Sequence, residues 1–332
     1  MLVNGHWQAA WDPYQETDDQ GNFKREAASF RHWITPDGSA GPTGNKGFKA
    51  EAGRYHLYVA YICPWASRIL ALVKLKQLED VISISVVEPY LTDFGWCFAG
   101  VESRHVSGAT EDHLHPKPYL YQLYLLAEPM MTGRATVPVL WDKKQNTIVN
   151  NESADILAML DNAFTPWAKN KTNLRPIEQL DQLNQLNEYL YTELNNGVYR
   201  AGFAQSQQAY ETAVDDVFHA LEVLENRLSD GRLFLLGQHL TEADIRLFVT
   251  LVRFDCVYHD LFKCNIKPIR DYIWLSHYLS RLFYDHELGE TVHFDHIKQG
   301  YYSVKALNPN GVVPSGPITN IIVNKVKKNH DH

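Results

Sequence analysis

The stretch YICPWASR, residues 61–68, places a lone cysteine, Cys63, where the sequence changes from strand character to helix character. Residues 55–60 before it have the composition of a strand, and residues 69–75 after it follow a helical period. Proline is best tolerated in the first turn of a helix, so Pro64 at the first helical position would make Cys63 the N-cap. The stretch therefore predicts a strand–helix junction with a thiol at the start of the helix.

The position of Cys63 has a chemical consequence. A thiol at an N-cap meets free backbone N–H groups and the positive end of the helix dipole, and both lower the pKa of a cysteine. We therefore expect a thiolate at neutral pH. The alternative interpretation is a small apolar residue at a corner of the fold, because free cysteines are usually buried hydrophobes.

The sequence following Cys63 predicts a small mixed sheet covered by helices. Residues 81–87 alternate and are β-branched, which indicates a strand, and residues 119–127 suit a short helix. Two further strands over 137–142 and 147–150 precede a helix over 153–160. The order β-α-β-α-β-β-α predicts an α/β domain, which we assign to residues 51–165.

The remainder of the chain is predicted to be all-helical. Apolar residues recur at three- and four-residue spacing over 177–194, 209–228, 241–254 and 269–283, within a domain assigned to 175–300. Thr241 and Asp244 form a capping-box-like start for the third helix. Residues 1–50 form an irregular N-terminal extension and 301–332 a C-terminal one, in which His330 and His332 could bind metal only weakly.

Composition excludes several classes of function. The chain has 332 residues, 45% hydrophobic and 21% charged, and its formal net charge of −8 argues against nucleic acid and anionic membranes as partners. Four widely spaced cysteines imply no disulfide framework, which fits a reducing, cytoplasmic location. The N-terminus has no signal-peptide pattern, and no apolar run is long enough to span a bilayer.

Several motifs in this order make the sequence similar to the glutathionyl-hydroquinone reductases, the Xi class of glutathione transferases. The similarity extends from the first residues to about Gly316. It implies a thioredoxin-like N-terminal domain followed by a helical glutathione-transferase domain. The motifs lie at residues 41–44 (GPTG), 63–66 (CPWA), 136–138 (TVP), 151–153 (NES), 195–199 (NNGVY), 240–246 (LTEADIR) and 252–255 (VRFD).

The resemblance implies a binding site for glutathione as co-substrate and no metal. Val137, before a proline that is cis in thioredoxin-like proteins, is implied to pair with the cysteinyl part of glutathione. Glu152 and Ser153 are implied to hold the γ-glutamyl end, although Ser153 could simply be a helix N-cap. The other implied contacts are Trp96, Arg134, Ala135 and Thr136; Trp96 could instead be a core residue and Arg134 a surface one.

The resemblance also implies roles for three tyrosines near Cys63. Tyr199 is implied to give a proton to the departing carbon, and Tyr258 and Tyr301 to lower the pKa of Cys63. Without the resemblance, each would more simply be a packing residue. This chain has Ser67 where family members commonly have histidine, which leaves the effect on the pKa of Cys63 open.

These residues predict a glutathione-dependent reductase of glutathionyl-hydroquinones that acts through a Cys63–glutathione mixed disulfide, in a homodimer. Position 66 is alanine, so Cys63 cannot form a CxxC disulfide, and its partner thiol must come from outside. The alternatives are a general thiol transferase or dehydroascorbate reductase, and a non-catalytic interaction module of the same fold. A conjugating transferase is disfavoured, because such enzymes usually activate glutathione with a serine or tyrosine hydroxyl.

Overall fold

A computed structural model describes residues 1–9, 17–101 and 105–317. The strands are β1 (Leu2–Val3), β2 (His6–Trp7), β3 (Trp33–Thr35), β4 (Gly47–Lys49), β5 (Tyr55–Val59), β6 (Ser83–Val86), β7 (Leu91–Thr92), β8 (Gly95–Trp96), β9 (Val139–Asp142) and β10 (Thr147–Asn150). The helices are α1 (Pro64–Lys76), α2 (Tyr121–Ala127), α3 (Ser153–Ala163), α4 (Leu180–Tyr189), α5 (Gly197–Gly202), α6 (Gln207–Leu228), α7 (Glu242–Arg253), α8 (Ile273–Ser280) and α9 (Phe294–Tyr302).

The predicted mixed sheet is present, with strand order β10-β9-β5-β6. The central strand β5 pairs parallel with β6 and antiparallel with β9, and every residue of β5 is buried. Helix α1 forms the crossover between β5 and β6. Strand β9 begins two residues later than predicted, at Val139, because Pro138 has no N–H to donate to the ladder.

The helical half follows the predicted periodicity with one systematic difference. The predicted helices over 177–194, 241–254 and 269–283 each change into a π-helical segment, at Leu190–Asn195, Phe254–Tyr258 and Arg281–Asp285. Apolar spacing does not separate these segments from α-helix, because they are only 6, 5 and 5 residues long, too short for a change of period to show. The first and last of these predicted helices also start with a short 3₁₀ turn, at Ile177–Gln179 and Ile269–Asp271.

The predicted capping box at the start of α7 is confirmed. The Asp244 carboxylate accepts hydrogen bonds from the Thr241 amide and hydroxyl, both at 2.8 Å. It also accepts from the Leu235 amide at 2.9 Å and the Tyr278 hydroxyl at 2.8 Å. The carboxylate thus ties α7 to α8 and to the loop before α7, and burial raises its pKa.

The N-terminal extension packs against both halves. Leu2 and Gly133 exchange backbone hydrogen bonds at 2.8 and 3.0 Å, and the Gln205 amide donates to the Gly21 carbonyl at 3.0 Å. Apolar residues of both halves belong to one buried cluster. The domain limits assigned from the sequence stay predictions. Of the helices in the described ranges, none combines the length and apolar character needed to cross a bilayer.

Candidate active site

Cys63 is the N-cap of α1, as the sequence predicts. Its backbone is extended, with φ −74° and ψ 117°, and Pro64 occupies the first helical position. The Ser67 amide donates to the Cys63 carbonyl at 3.0 Å and closes the first turn. The thiol therefore lies at the positive end of the helix, between the sheet and the helical domain.

The pKa of Cys63 is shifted in the opposite direction to the sequence-based expectation. Burial raises the pKa of this thiol, because surrounding protein removes the water that would solvate the thiolate. The backbone amides of Ala66 and Trp65 and the positive charges of Arg253 and Arg25 lower it, but by less than burial raises it. The thiol donates to the Val137 carbonyl at 3.6 Å. The prediction of a lowered pKa is therefore wrong for this structure.

Arg253, at the end of α7, is a buried cation that joins the two halves beside Cys63. Its Nε donates to the Ile62 carbonyl at 3.1 Å, and its Nη2 donates to the Tyr61 carbonyl at 3.0 Å and to Ser67 Oγ at 2.7 Å. Only 1% of the residue is exposed. Arg253 belongs to the VRFD motif, but the sequence predicts no role for it, since nothing in the sequence says which element its side chain faces.

Ser67, at the position where the resemblance implies a histidine, is part of the same contact. Its hydroxyl accepts from Arg253 and donates to the Cys63 carbonyl at 3.0 Å, and its side chain is buried. The small hydroxyl therefore links the guanidinium to the first turn of α1.

The three tyrosines form a chain of hydroxyl groups. The Tyr199 and Tyr301 hydroxyls lie 2.5 Å apart, and the Tyr301 and Tyr258 hydroxyls 3.2 Å apart. Burial raises the pKa of all three. Among the described residues, no tyrosine hydroxyl is hydrogen-bonded to Cys63 Sγ. The hydroxyls implied to lower the pKa of Cys63 thus connect to Tyr199 rather than to sulfur, Tyr301 directly and Tyr258 through Tyr301.

An apolar cavity of about 250 Å³ contains Cys63. Tyr199 and Tyr301 line it together with the cysteine, whereas Tyr258 lies behind Tyr301 and is fully buried. Trp96 and Ala135, implied as glutathione contacts, form part of the same wall. The cavity can accept an aromatic ring next to the thiol.

A second, polar cavity of about 820 Å³ holds the other implied glutathione contacts. Glu152, Ser153 and Val137 line it, and Arg134, Thr136 and Val137 border both cavities. Burial lowers the pKa of Arg134 to about 10. The Val137–Pro138 peptide is cis, as the resemblance implies. A peptide with one end in the polar cavity can therefore reach Cys63 across Val137.

The helix start at α3 differs from the simpler interpretation of Ser153 as its N-cap. Glu152 is the N-cap, and its carboxylate accepts from the Ala154 amide at 3.1 Å. Ser153 is the first helical residue, and its hydroxyl lies 3.4 Å from the same carboxylate. A carboxylate can occupy this position because the free amides of the first turn attract negative charge.

Arg25, which no sequence motif marks, lies where the two cavities meet. Its guanidinium carbon is 4.9 Å from the Trp65 ring centroid and 4.8 Å from that of Tyr199. It lines both cavities, although its side chain is exposed to solvent. No local pattern identifies an arginine within an irregular segment as part of a site formed by distant residues.

The remaining cysteines and histidines do not add to the site. Cys97, Cys256 and Cys264 are buried, and burial raises the pKa of Cys256 and Cys264 to about 12, which makes them unreactive. No group of three or more His, Cys, Asp or Glu side chains suited to a metal ion occurs within residues 1–9, 17–101 and 105–317. His330 and His332 lie outside the described residues.

A thioredoxin-like sheet, a thiol at a helix start and a polar cleft that faces a helical domain together define a glutathione transferase with an active-site cysteine. Two family models match the chain. "Glutathione S-transferase, N-terminal domain" covers residues 62–163, and "Glutathione S-transferase, C-terminal domain" covers residues 207–281.

Individual relatives show to which class of glutathione transferases the chain belongs. Glutathionyl-hydroquinone reductase YqjG of Escherichia coli is 48% identical over 318 residues, which is 96% of this chain and 95% of the relative. A glutathione-bound structure of that protein superposes with a TM-score of 0.87 at 44% identity, with 96% of each chain covered. The Xi glutathione transferase of Phanerochaete chrysosporium superposes with a TM-score of 0.86 at 46% identity, over 92% of this chain and 96% of that one. The chain belongs to the glutathionyl-hydroquinone reductases, the Xi class of glutathione transferases, and the resemblance inferred from its motifs is confirmed.

Proposed function

We propose that this protein uses glutathione to reduce glutathionyl-hydroquinones to hydroquinones and releases oxidised glutathione. The observation that carries the proposal is the position of Cys63 and Tyr199 in one apolar cavity that adjoins a polar cleft. This arrangement offers a nucleophile that can attack the sulfur of the conjugate, a proton donor for its ring carbon, and a separate cleft for the glutathione peptide.

Glutathione lies across the two cavities in this proposal. Its γ-glutamyl carboxylate meets the free amides at the start of α3, and the Glu152 carboxylate takes its ammonium group. Its cysteinyl backbone pairs with Val137. Arg134 and Trp96 contact the rest of the peptide, and Ala135, Thr136 and Ser153 complete the cleft. In support, Val137 and Arg134 border both cavities, so one peptide can touch both regions.

The reaction starts with attack of the Cys63 thiolate on the sulfur of the conjugate. A disulfide between Cys63 and glutathione forms as the carbon–sulfur bond breaks, and the ring carbon takes a proton from the Tyr199 hydroxyl. A second glutathione thiolate attacks the mixed disulfide, which gives oxidised glutathione and restores Cys63. Because burial raises the pKa of Cys63, the thiolate depends on the amides of Ala66 and Trp65 and on nearby arginines.

A panel of substrates tests the reaction. With glutathione present, the protein is expected to prefer a glutathionyl-hydroquinone over hydroxyethyl disulfide, dehydroascorbate and chlorodinitrobenzene in kcat/KM. A preference for the disulfide or dehydroascorbate would indicate a general thiol transferase. Turnover of chlorodinitrobenzene alone would indicate a conjugating enzyme, and no turnover of any substrate would indicate an interaction module.

The proton donor is tested separately with Tyr199→Phe. Disulfide exchange needs no proton on carbon, so this variant should slow hydroquinone release by about 10²–10⁴-fold and leave hydroxyethyl disulfide reduction nearly intact. Tyr258→Phe and Tyr301→Phe should slow both substrates if these residues support the thiolate, as the resemblance implies. A loss confined to the hydroquinone would mean that they act through Tyr199, to which their hydroxyls connect.

The assembly and location of the protein also belong to this proposal. The resemblance supports a homodimer, which sedimentation of the purified protein would test. A cytoplasmic location is supported by four free cysteines and by a reaction that consumes glutathione. The partners are small molecules, glutathione and its hydroquinone conjugates, and neither nucleic acid nor membrane is proposed.

A further inference from the structure

Arg25 is held against Tyr199 by several independent contacts. Its Nε donates to Asn196 Oδ1 at 3.0 Å, and the Asn196 carbonyl accepts from the Tyr199 amide at 3.0 Å. The segment that carries Arg25 is itself attached to the helical domain: the Phe23 and Phe203 rings lie 5.5 Å apart. The guanidinium is therefore positioned over the Tyr199 ring by the same residues that position the ring.

The reductase step moves a negative charge. It starts on Cys63 sulfur, and when the Tyr199 proton goes to the ring carbon, the charge ends on the Tyr199 oxygen. The carbon–sulfur electron pair becomes the new carbon–hydrogen bond, and the two sulfurs are oxidised to a disulfide while the carbon is reduced. The products are the mixed disulfide, the hydroquinone and a Tyr199 phenolate, so atoms and charge balance.

We propose, building on the function above, that Arg25 is a positioning residue that stabilises the negative oxygen of Tyr199 as the hydroquinone departs. The N-terminal extension thus supplies a charge to a reaction whose other groups lie in the two domains. Arg25 lines both cavities, and its guanidinium carbon lies 4.8 Å from the centroid of the Tyr199 ring. A cation beside a phenolate lowers the energy of the charged form more than that of the neutral phenol.

The surroundings of Tyr199 support this assignment. Burial raises the pKa of Tyr199, and Arg25 is the strongest of the influences that lower it. The charge of Cys63 raises the pKa of Tyr199, whereas the Tyr301 hydroxyl and the charge of Arg253 lower it, each by less than Arg25 does. The Tyr258 ring lies 6.1 Å from the Tyr199 ring, and the Tyr258 hydroxyl is hydrogen-bonded to the hydroxyl of Tyr301.

The test removes the charge and compares two substrates. Arg25→Met keeps a long side chain over the ring, and Arg25→Lys keeps the charge. The adjacent Lys24 is exposed and borders neither cavity, so Lys24→Met is the matched loss of one positive charge. The substrates are glutathionyl-hydroquinone and the mixed disulfide of glutathione with 2-mercaptoethanol. The pKa of Cys63 is first determined for each variant from the pH dependence of alkylation, and both reaction rates are then measured at a pH above that pKa.

Arg25→Met is expected to slow hydroquinone release about tenfold, the scale of one cation near an anion at a partly solvated site. Disulfide reduction should change less than about twofold, because no tyrosine oxygen becomes charged in that reaction. Arg25→Lys should recover most of the rate, and Lys24→Met should match the unmodified protein with both substrates.

A double variant tests whether Arg25 acts through Tyr199. In a Tyr199→Phe background no phenolate can form, so adding Arg25→Met should cause no further loss. A further tenfold loss there, an equal loss with both substrates, or no loss at all would each overturn the assignment. An equal loss of rate with both substrates would mean that Arg25 binds glutathione or stabilises the Cys63 thiolate. Failure of the unmodified protein to reduce the hydroquinone conjugate would instead refute the proposed function.

Discussion

Replacing Arg253 with methionine tests what sustains the thiolate of Cys63. The guanidinium binds the carbonyls of Tyr61 and Ile62, immediately before the cysteine, and the hydroxyl of Ser67 one turn after it. Methionine is similar in length but carries no charge, so the substitution removes the buried cation and its hydrogen bonds. We expect the pKa of Cys63 to rise further.

The size of this change follows from distance and dielectric. A guanidinium bound to residues one and two positions before the cysteine lies within about 6–8 Å of its sulfur, given the reach of two residues. At an effective dielectric constant of about 20, such a charge contributes about 2 kcal/mol to the thiolate. That energy corresponds to between about 1 and 2 pKa units. At any pH below the pKa, Arg253→Met should therefore reduce the thiolate fraction by about 10- to 100-fold.

The assay is the pH dependence of Cys63 alkylation by iodoacetamide, followed by mass spectrometry of the Cys63 peptide. Arg253→Lys retains the charge and should keep most of the thiolate, although it loses the planar fork of donors. Ser67→Ala removes one of the hydrogen-bond partners but no charge, and should shift the pKa by less than Arg253→Met. Circular dichroism confirms that each variant is folded. A folded Arg253→Met protein with an unchanged alkylation profile would refute this electrostatic argument.

Four other predictions concern the same site and the buried thiols. Incubation with oxidised glutathione should add one glutathione to the intact mass, and Cys63→Ala should abolish the adduct; an adduct that persists would identify another reactive cysteine. Because burial raises the pKa of Cys63, the reductase rate should still be rising with pH above neutrality; a plateau already reached at pH 6 would contradict this. Glu152→Ala should weaken glutathione binding by about 2–3 kcal/mol in calorimetry, whereas Glu26→Ala, on the same cavity, should have a smaller effect; unchanged affinity in the Glu152 variant would exclude this cradle. Buried Cys256 and Cys264 have a pKa of about 12 in the folded protein, against about 8.5 when unfolded, so the folded protein keeps their protons to higher pH. The free energy of unfolding should therefore fall by about 1.4 kcal/mol per pH unit per thiol as the pH rises from about 8.5 to about 12. Denaturation in urea at pH 8 and pH 10.5 measures that slope, which should be smaller when both cysteines are alanine.

The sequence was most informative where a local pattern has one physical solution. A helix tolerates proline best in its first turn, so Pro64 identified Cys63 as an N-cap without any tertiary information. The same reasoning located the Thr241–Asp244 capping box, because both partners lie within one turn. Strands β5, β6, β9 and β10 followed from strand-type composition, alternation and a polar turn; β10 has the predicted limits, and the other three differ by one or two residues at an end.

The resemblance added residues that no local pattern marks. Tyr199, Tyr258 and Tyr301 lie on three different elements, and a tyrosine in a helical domain is ordinarily a packing residue. Only the similarity of the motifs to those of the family suggested that these three tyrosines lie together near Cys63. Only the structure revealed that their hydroxyls connect to one another at 2.5 and 3.2 Å and that no described tyrosine hydroxyl is bonded to the sulfur.

Tertiary structure alone decided the electrostatics of the site. The sequence determined that Cys63 begins a helix, which lowers a pKa, but not how much water the folded chain removes from the thiol, which raises it more. Arg25 and Arg253 were invisible as site residues because they come from an irregular extension and the far end of a helix, and their positions depend on how distant segments pack. Local rules fix caps and periodicity within a few residues, whereas the solvation of a charge depends on every atom around it, and those atoms come from all parts of the chain.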